Sequence, residues 1–199
     1  MRIVLASQSP RRRELLDRMG LEFTVRVPDL DESGFAADTP GELVELLSQE
    51  KAAAAAGNGD ELIIASDTVV VLDGKILGKP ASKQEAEQML NALAGRTHEV
   101  YSGVTVRRGE RTVTEHEVTA VEFRPLSAAE ISRYLATGEP MDKAGAYGIQ
   151  GYGALLVSGI RGDYFNVMGL PVNRLGRILA GFGVDCLELA AKRAEKERR

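Results

Sequence analysis

The chain has 199 residues, a formal net charge of −4, one cysteine and no tryptophan. This length can bury a substantial core without staples, Cys186 has no second cysteine for an internal disulfide, and the acidic balance argues against a protein built to coat nucleic acid. No apolar run approaches the roughly 20 residues of a membrane span, and Ile3 to Ala6 is far shorter than a signal-peptide core, so the expectation is a cytoplasmic protein in a reducing compartment.

The first apolar run, "RIVLA", reads as a buried strand leading into "SQSPRRREL". Ser9 as N-cap, Pro10 at the first helical position, the stripe Leu15, Leu16 and Met19, and the stop at Gly20 predict a helix over 10–19. A helix start carries partial positive charge, so Arg11, Arg12 and Arg13 stand where cations cost stability. Ser7 and Ser9, the first-turn N–H groups and the guanidinium forks all suit a polyanion; the competing reading is three solvated arginines paired with Glu14 and Asp17. Their clustering beside Ser-x-Ser-Pro favours phosphate. After the strand "FTVRV", the loop "PDLDESG" gathers Asp29, Asp31 and Glu32, hard oxygen ligands that suit Mg²⁺ or Mn²⁺, although most acidic loops bind nothing.

Thr39-Pro40-Gly41-Glu42 fits a capping box and opens a helix that should end at Gly57. Inside its apolar "SQEKAAAAAG", Lys51 either snorkels to solvent or serves a site. "LIIAS" is a strand, and "TVVVLDGKILG" reads as a hairpin turning at Asp73-Gly74 through a type I′ turn. Asp67-Thr68, between them, is open to two readings: a buried carboxylate that needs a cation, or ordinary turn chemistry. Lys79 sits in a tight "LGKP" turn. Capping boxes at Ser82–Glu85 and Ser127–Glu130 open two more helices, closed by Gly95 and Gly138.

Residues 100–123 alternate around Arg108-Gly109 as a second hairpin with one wet face. "MDKAGAYGIQGYGALLV" is dense in glycine, with Asp142, Lys143, Tyr147 and Gln150 interleaved. Small residues let a backbone approach a ligand, and Gln150 can offer donor and acceptor to a nucleobase edge; a flexible turn is the alternative, and the stretch fits neither a Walker A loop nor a Rossmann fingerprint. "GALLVSGIRGDYFNVMGL" reads as a strand and a glycine-rich loop, followed by a fifth helix from Pro171 to near Gly181 and a sixth through the charged tail. Crossover units and hairpins in one chain predict an α/β fold with a mixed twisted sheet and flanking helices.

In order along residues 3 to 171, "LASQSPRRREL", "DES", "QEKA", "ASDTVV", "GKP", "RTHEVYSGV", "DKAGAYGIQG" and "GDYFNVMGLP" resemble the Maf family of nucleoside triphosphate pyrophosphatases, also called septum-formation inhibitors. The resemblance implies an elongated, two-lobed fold like that of the inosine triphosphate pyrophosphatases (Ham1), with a central cleft. It implies a homodimer that cleaves a nucleoside triphosphate between the α and β phosphates with a divalent metal, Mg²⁺ or Mn²⁺, and that binds neither nucleic acid stably nor membrane.

Residue by residue, the resemblance makes Asp67 the proton acceptor and places Ser7, Arg12, Glu32, Lys51 and Lys79 at the other polar active-site positions. Glu32 and Asp67 are the expected metal ligands, and Ser9 is counted with the substrate-binding residues. Arg11, Thr68 and Gln150 match the positions associated with substrate choice, in the pattern of the subgroup acting on dTTP and UTP; a subgroup acting on 7-methyl-GTP tends to have Trp, Gln and Glu there. The expected organisation is one Maf-like domain over 1–183 and a charged helical tail over 184–199. The alternatives are a 7-methyl-GTP pyrophosphatase, a non-catalytic nucleotide-binding regulator of septum formation, and a nucleic-acid module built on the three arginines. A shortage of aromatic residues for base stacking counts against the last.

Overall fold

The computed structural model describes residues 1–57 and 60–198; Arg199, the end of the expected tail helix, lies outside the described residues. In chain order the elements are β1 (Arg2–Leu5), α1 (Pro10–Arg18), β2 (Phe23–Val25), α2 (Pro40–Ala54), β3 (Glu61–Leu72), β4 (Lys75–Leu77), α3 (Lys83–Leu93), β5 (Thr97–Arg108) and β6 (Arg111–Phe123). There follow α4 (Ala128–Ala136), β7 (Val157–Arg161), α5 (Tyr164–Met168), α6 (Val172–Gly181) and α7 (Cys186–Glu197), with short 3₁₀ turns at 32–34, 139–142, 144–146 and 152–155. The strands form one seven-stranded sheet in the order β2-β1-β3-β5-β6-β7, with β4 paired to β3. It is mixed: β1 runs parallel to β2 and β3, while β3–β4 and β6–β7 are antiparallel.

Three local differences from expectation have physical causes. Asp67-Thr68 is not a turn: β3 is one strand of 12 residues, buried at every position except half-buried Thr68, so its long apolar run is that of a central strand. The hairpin of β5 and β6 does not keep a wet face along β5: Thr97 and Glu99 are exposed at its start, but residues 102–106 are all buried, and its turn falls at Gly109-Glu110, where Gly109 takes the positive φ. In the 153–170 stretch the chain forms a strand and then the short helix α5, where only a strand and a loop are expected. The Asp73-Gly74 turn is as expected, with φ of 51° and 74° at its two central residues.

The chain divides into two compact units, and β3, β5 and β6 contribute residues to both. The first comprises Met1–Asp67, Ser102–Glu117 and Gly169–Arg199. Val4 and Ala6, Ala52 and Ala55, and Ile63 and Ala65 form a buried cluster in it, where small residues on α2 meet the β1 and β3 strands and the residue just after β1. The helix comes close enough that a Cβ on Gly103 would stand 2.1 Å from the Val44 carbonyl oxygen, so only glycine fits there. The complete Thr39–Glu42 capping box starts α2. Ser82 likewise caps α3, but Glu85 turns its carboxylate to the Ala81 N–H instead of closing the box.

The second unit comprises Thr68–Tyr101 and Val118–Met168. Ala86, Met89, Leu90 and Leu93 supply the buried stripe of α3, and Ile131 and Tyr134 that of α4. His98, Phe123 and Tyr147 meet edge to face, with ring centroids 4.8 to 5.3 Å apart. His98 Nε2 lies 2.8 Å from the Tyr147 hydroxyl, and buried Nδ1 has no hydrogen-bond partner among the described residues. Burial accordingly lowers the His98 pKa to about 4.

Candidate active site

Helical spacing places Lys51. The buried positions of α2 include Val44, Leu47, Ser48, Lys51 and Ala52, the i, i+3, i+4, i+7, i+8 stripe of a core-facing helix. The lysine therefore points inward, 8 % exposed, and does not snorkel. Its Nζ donates to Asp67 Oδ1 at 2.5 Å and lies 3.0 Å from Glu32 Oε1. Asp67 is itself only 8 % exposed. A carboxylate at that depth requires a cation, and α2 supplies it from the facing layer.

The acidic loop separates its three members. Asp31 accepts the Ser33 N–H at 3.0 Å and caps the 3₁₀ turn at 32–34; that hydrogen bond holds its carboxyl below the usual range. Glu32 turns to Lys51, and Asp29 is exposed. Only Glu32 of the trio joins the cluster around Lys51.

The opening turn supplies the cations. Arg12 Nε donates to the Gly169 carbonyl at 2.8 Å and Nη1 to Ser7 Oγ at 3.3 Å, while the Ser9 N–H donates to the same Ser7 oxygen at 3.2 Å. Ser9 occupies the N-cap position, but its side chain makes no capping bond, and α1 has no acidic residue in its first turn. Desolvation by burial lowers the Arg12 pKa, Asp67 and Glu32 draw it back up, and the neighbouring Arg11 charge opposes it. The guanidinium thus shares the field of the two carboxylates that hold Lys51. Arg13 is exposed, and Glu14 pairs with Arg18 one turn along, at 2.5 Å.

Ser7, Arg12, Glu32, Lys51 and Asp67 therefore come together within the first unit. Two formal positive charges, on Arg12 and Lys51, balance two carboxylates, and half-buried Arg11 adds a third cation beside them. Two residues that sequence reasoning passed over complete the arrangement. Ser66 Oγ donates to the Gly169 carbonyl at 3.0 Å, so that one carbonyl accepts from both Ser66 and Arg12. Gly169, at φ 106°, adopts a conformation few other residues tolerate, and its place in "GDYFNVMGLP" is the only signal the sequence offers.

Thr68, Lys79 and Gln150 belong to the second unit. Thr68 follows Asp67 on β3, and Lys79 is exposed just beyond β4. The Gly145 N–H donates to the Gly78 carbonyl at 3.0 Å, tying the Lys79 turn to the glycine-rich segment that carries Gln150.

Residues 2–182 match the family described as Maf-like protein. The chain is 56 % identical to the dTTP/UTP pyrophosphatase of Moorella thermoacetica, over 92 % of this chain and 96 % of that protein. It is 51 % identical to the dTTP/UTP pyrophosphatase of Symbiobacterium thermophilum, over 91 % and 94 %. Among solved structures, a HAM1 protein from Coxiella burnetii aligns with a TM-score of 0.54 at 19 % identity, covering 91 % of this chain and 99 % of the other, which is a likeness of fold.

Proposed function

Because the chain belongs to the Maf-like protein family, we propose that it hydrolyses dTTP and UTP to the monophosphate and pyrophosphate. The observation that carries this reading is the setting of Asp67: a carboxylate in mid-strand whose Oδ1 is held by Lys51 while Oδ2 makes no hydrogen bond among the described residues. Water attacks the α-phosphorus, forming a new P–O bond as the α–β bridging P–O bond breaks and the electron pair leaves with pyrophosphate. Oδ2 of Asp67 takes the proton of the attacking water, and Lys51 holds the carboxylate in place. Arg12, anchored by Ser7 and Gly169, stabilises negative charge on the phosphates, with Lys79 and Ser9 assigned to the same task. Arg11, Thr68 and Gln150 choose the base.

A divalent cation fits this donor set. Among the described residues no three His, Cys, Asp or Glu side chains cluster as a self-sufficient metal site. Mg²⁺ and Mn²⁺ are commonly held by one or two carboxylates with substrate phosphates completing the shell, and Glu32 and Asp67 are the pair that would hold such an ion here. When bound it supplies charge neutralisation at the phosphate oxygens.

Residues 1–183 carry the activity in this reading and 184–199 form an appendage, in keeping with the family match ending at residue 182. No helix among the described residues is long and apolar enough to cross a membrane. A cytoplasmic homodimer is part of the same proposal, supported by the single cysteine and the family. The test is a panel of nucleoside triphosphates incubated with Mg²⁺ or Mn²⁺, with pyrophosphate measured. The expected result is release from dTTP and UTP well ahead of GTP and 7-methyl-GTP. Nucleotide binding with no pyrophosphate from any of them would instead make the protein a regulator.

A further inference from the structure

The glycine density of "GAYGIQGYG" has a cause inside the protein. Glu139 opens the 3₁₀ turn after α4, and residues 148–153 wrap around its carboxylate. Oε2 accepts the Tyr152 N–H at 2.8 Å, and Oε1 accepts the Gly153 N–H at 3.0 Å and the Tyr134 hydroxyl at 2.8 Å. The Tyr134 oxygen in turn accepts the Gly148 N–H at 3.2 Å, and Gly151 N–H closes the turn onto the Gly148 carbonyl at 3.3 Å. Gln150 is the exposed third residue of that turn, behind buried Ile149.

Two glycines are explained by this wrapping. A Cβ on Gly151 would stand 2.2 Å from Glu139 Oε2, and one on Gly153 2.5 Å from the Gly148 carbonyl. At either distance a side chain would force the turn or the carboxylate to shift, so the backbone closes on the carboxylate because glycine lets it. Bonds from N–H groups to an ionised carboxylate are about twice as strong as neutral ones, and backbone donors cannot rotate away.

We propose that Glu139 is a positioning residue for base selection: its carboxylate, with the Tyr134 hydroxyl, sets the turn that presents Gln150. Burial raises the Tyr134 pKa, which keeps its hydroxyl protonated as a donor to Glu139. The inference rests on the reading of Gln150 as a base-selecting residue. A neutral amide in place of the carboxylate cannot serve the three donors, because its NH₂ would face an N–H.

The experiment compares the kcat/KM ratio of dTTP to GTP in wild type, Glu139→Gln, Gln150→Ala and the double variant, with amide exchange of Gly148, Tyr152 and Gly153 followed alongside. Tyr134→Phe stands in for Glu139→Gln should the latter fail to fold. The expected result is faster exchange at those amides and a ratio about 10-fold lower in Glu139→Gln, with less than a twofold further change once Gln150 is alanine, since coupled residues are not additive. An unchanged ratio, unchanged exchange, or an equal loss in the Gln150→Ala background overturns the positioning role and leaves the functional reading standing. A wild type that does not prefer dTTP to GTP overturns both.

Discussion

Asp67 on β3 and Glu139 after α4 are both carboxylates drawn in from solvent, and their partners differ in kind. Asp67 is held at one oxygen by a lysine on a flexible four-carbon stem, with Glu32 sharing the same ammonium. Glu139 is held at both oxygens by backbone N–H groups and a tyrosine hydroxyl. A side-chain ammonium can shift when a metal or phosphate arrives, whereas backbone donors keep their geometry. The first arrangement therefore suits chemistry and the second suits positioning, and substitutions should separate them.

Asp67→Asn should have the largest effect on turnover, about 10³-fold in pyrophosphate release, because a general base contributes on that scale, with the thermal midpoint lowered less than in Lys51→Met because Glu32 still pairs with Lys51. A folded Asp67→Asn protein with wild-type turnover would sink the assignment. Lys51→Met leaves two carboxylates without their shared cation and should cost about 4 kcal/mol in urea unfolding at pH 7 as well as most of the activity.

His98 extends the contrast to a buried group kept neutral by its surroundings. Its pKa is 6.5 when unfolded and about 4 when folded, so the folded state binds fewer protons between those values. Stability is full above pH 6.5 and declines as pH falls towards 4, with a total loss of about 3 kcal/mol. His98→Gln should flatten that limb of the pH–stability curve. A limb unchanged in the variant would assign the loss to other groups. Glu130 occupies a separate window: hydrogen bonding from Ser127 and then Arg124 lowers it to about 2, so its contribution is present above 4.5 and is lost only as pH falls through about 2.

Gly151→Ala pushes a methyl group against Glu139 and should cost about 2 kcal/mol. It should also shift the dTTP-to-GTP preference in the same direction as Glu139→Gln, with the kcat for dTTP changed less than in Asp67→Asn. Thr39→Ala is the smallest perturbation, about 1 kcal/mol from the lost cap of α2, read as a lower thermal midpoint.

Local rules were legible where local atoms decide the outcome. The capping residues of α2 and α4, the positive-φ turn at Asp73-Gly74 and the glycines at the ends of α1 and α4 follow from neighbours within four residues. Asp67 is harder, because Ser-Asp-Thr is equally good turn chemistry; only the continuity of β3 from its pairing with β1 at residues 61–64 to its pairing with β4 at 70–72 makes that position mid-strand. Lys51 could have been placed by counting from Val44, since position i+7 lies on the buried stripe. The glycine-rich segment by its sequence suits either an approach to a ligand or a flexible turn. The structure shows it closing on Glu139, 9 to 14 residues away along the chain, a partner that periodicity does not reveal.

By itself the sequence determined the alternation of strands and helices, the cluster of cations at the start of α1 and the ordered motifs of the family, because hydrophobic period, turn residues and charge runs are properties of short segments. Tertiary structure alone decided which polar groups meet: Lys51 with Asp67 and Glu32, Arg12 and Ser66 on one carbonyl, Glu139 with the turn of Gln150. The reason is that a buried charge or hydroxyl must find its partner in space, and these partners come from segments whose distance along the chain ranges from 13 to 157 residues. For "LASQSPRRREL" this means that Arg12 is defined by a carbonyl far along the chain, while Arg13, its neighbour, is exposed.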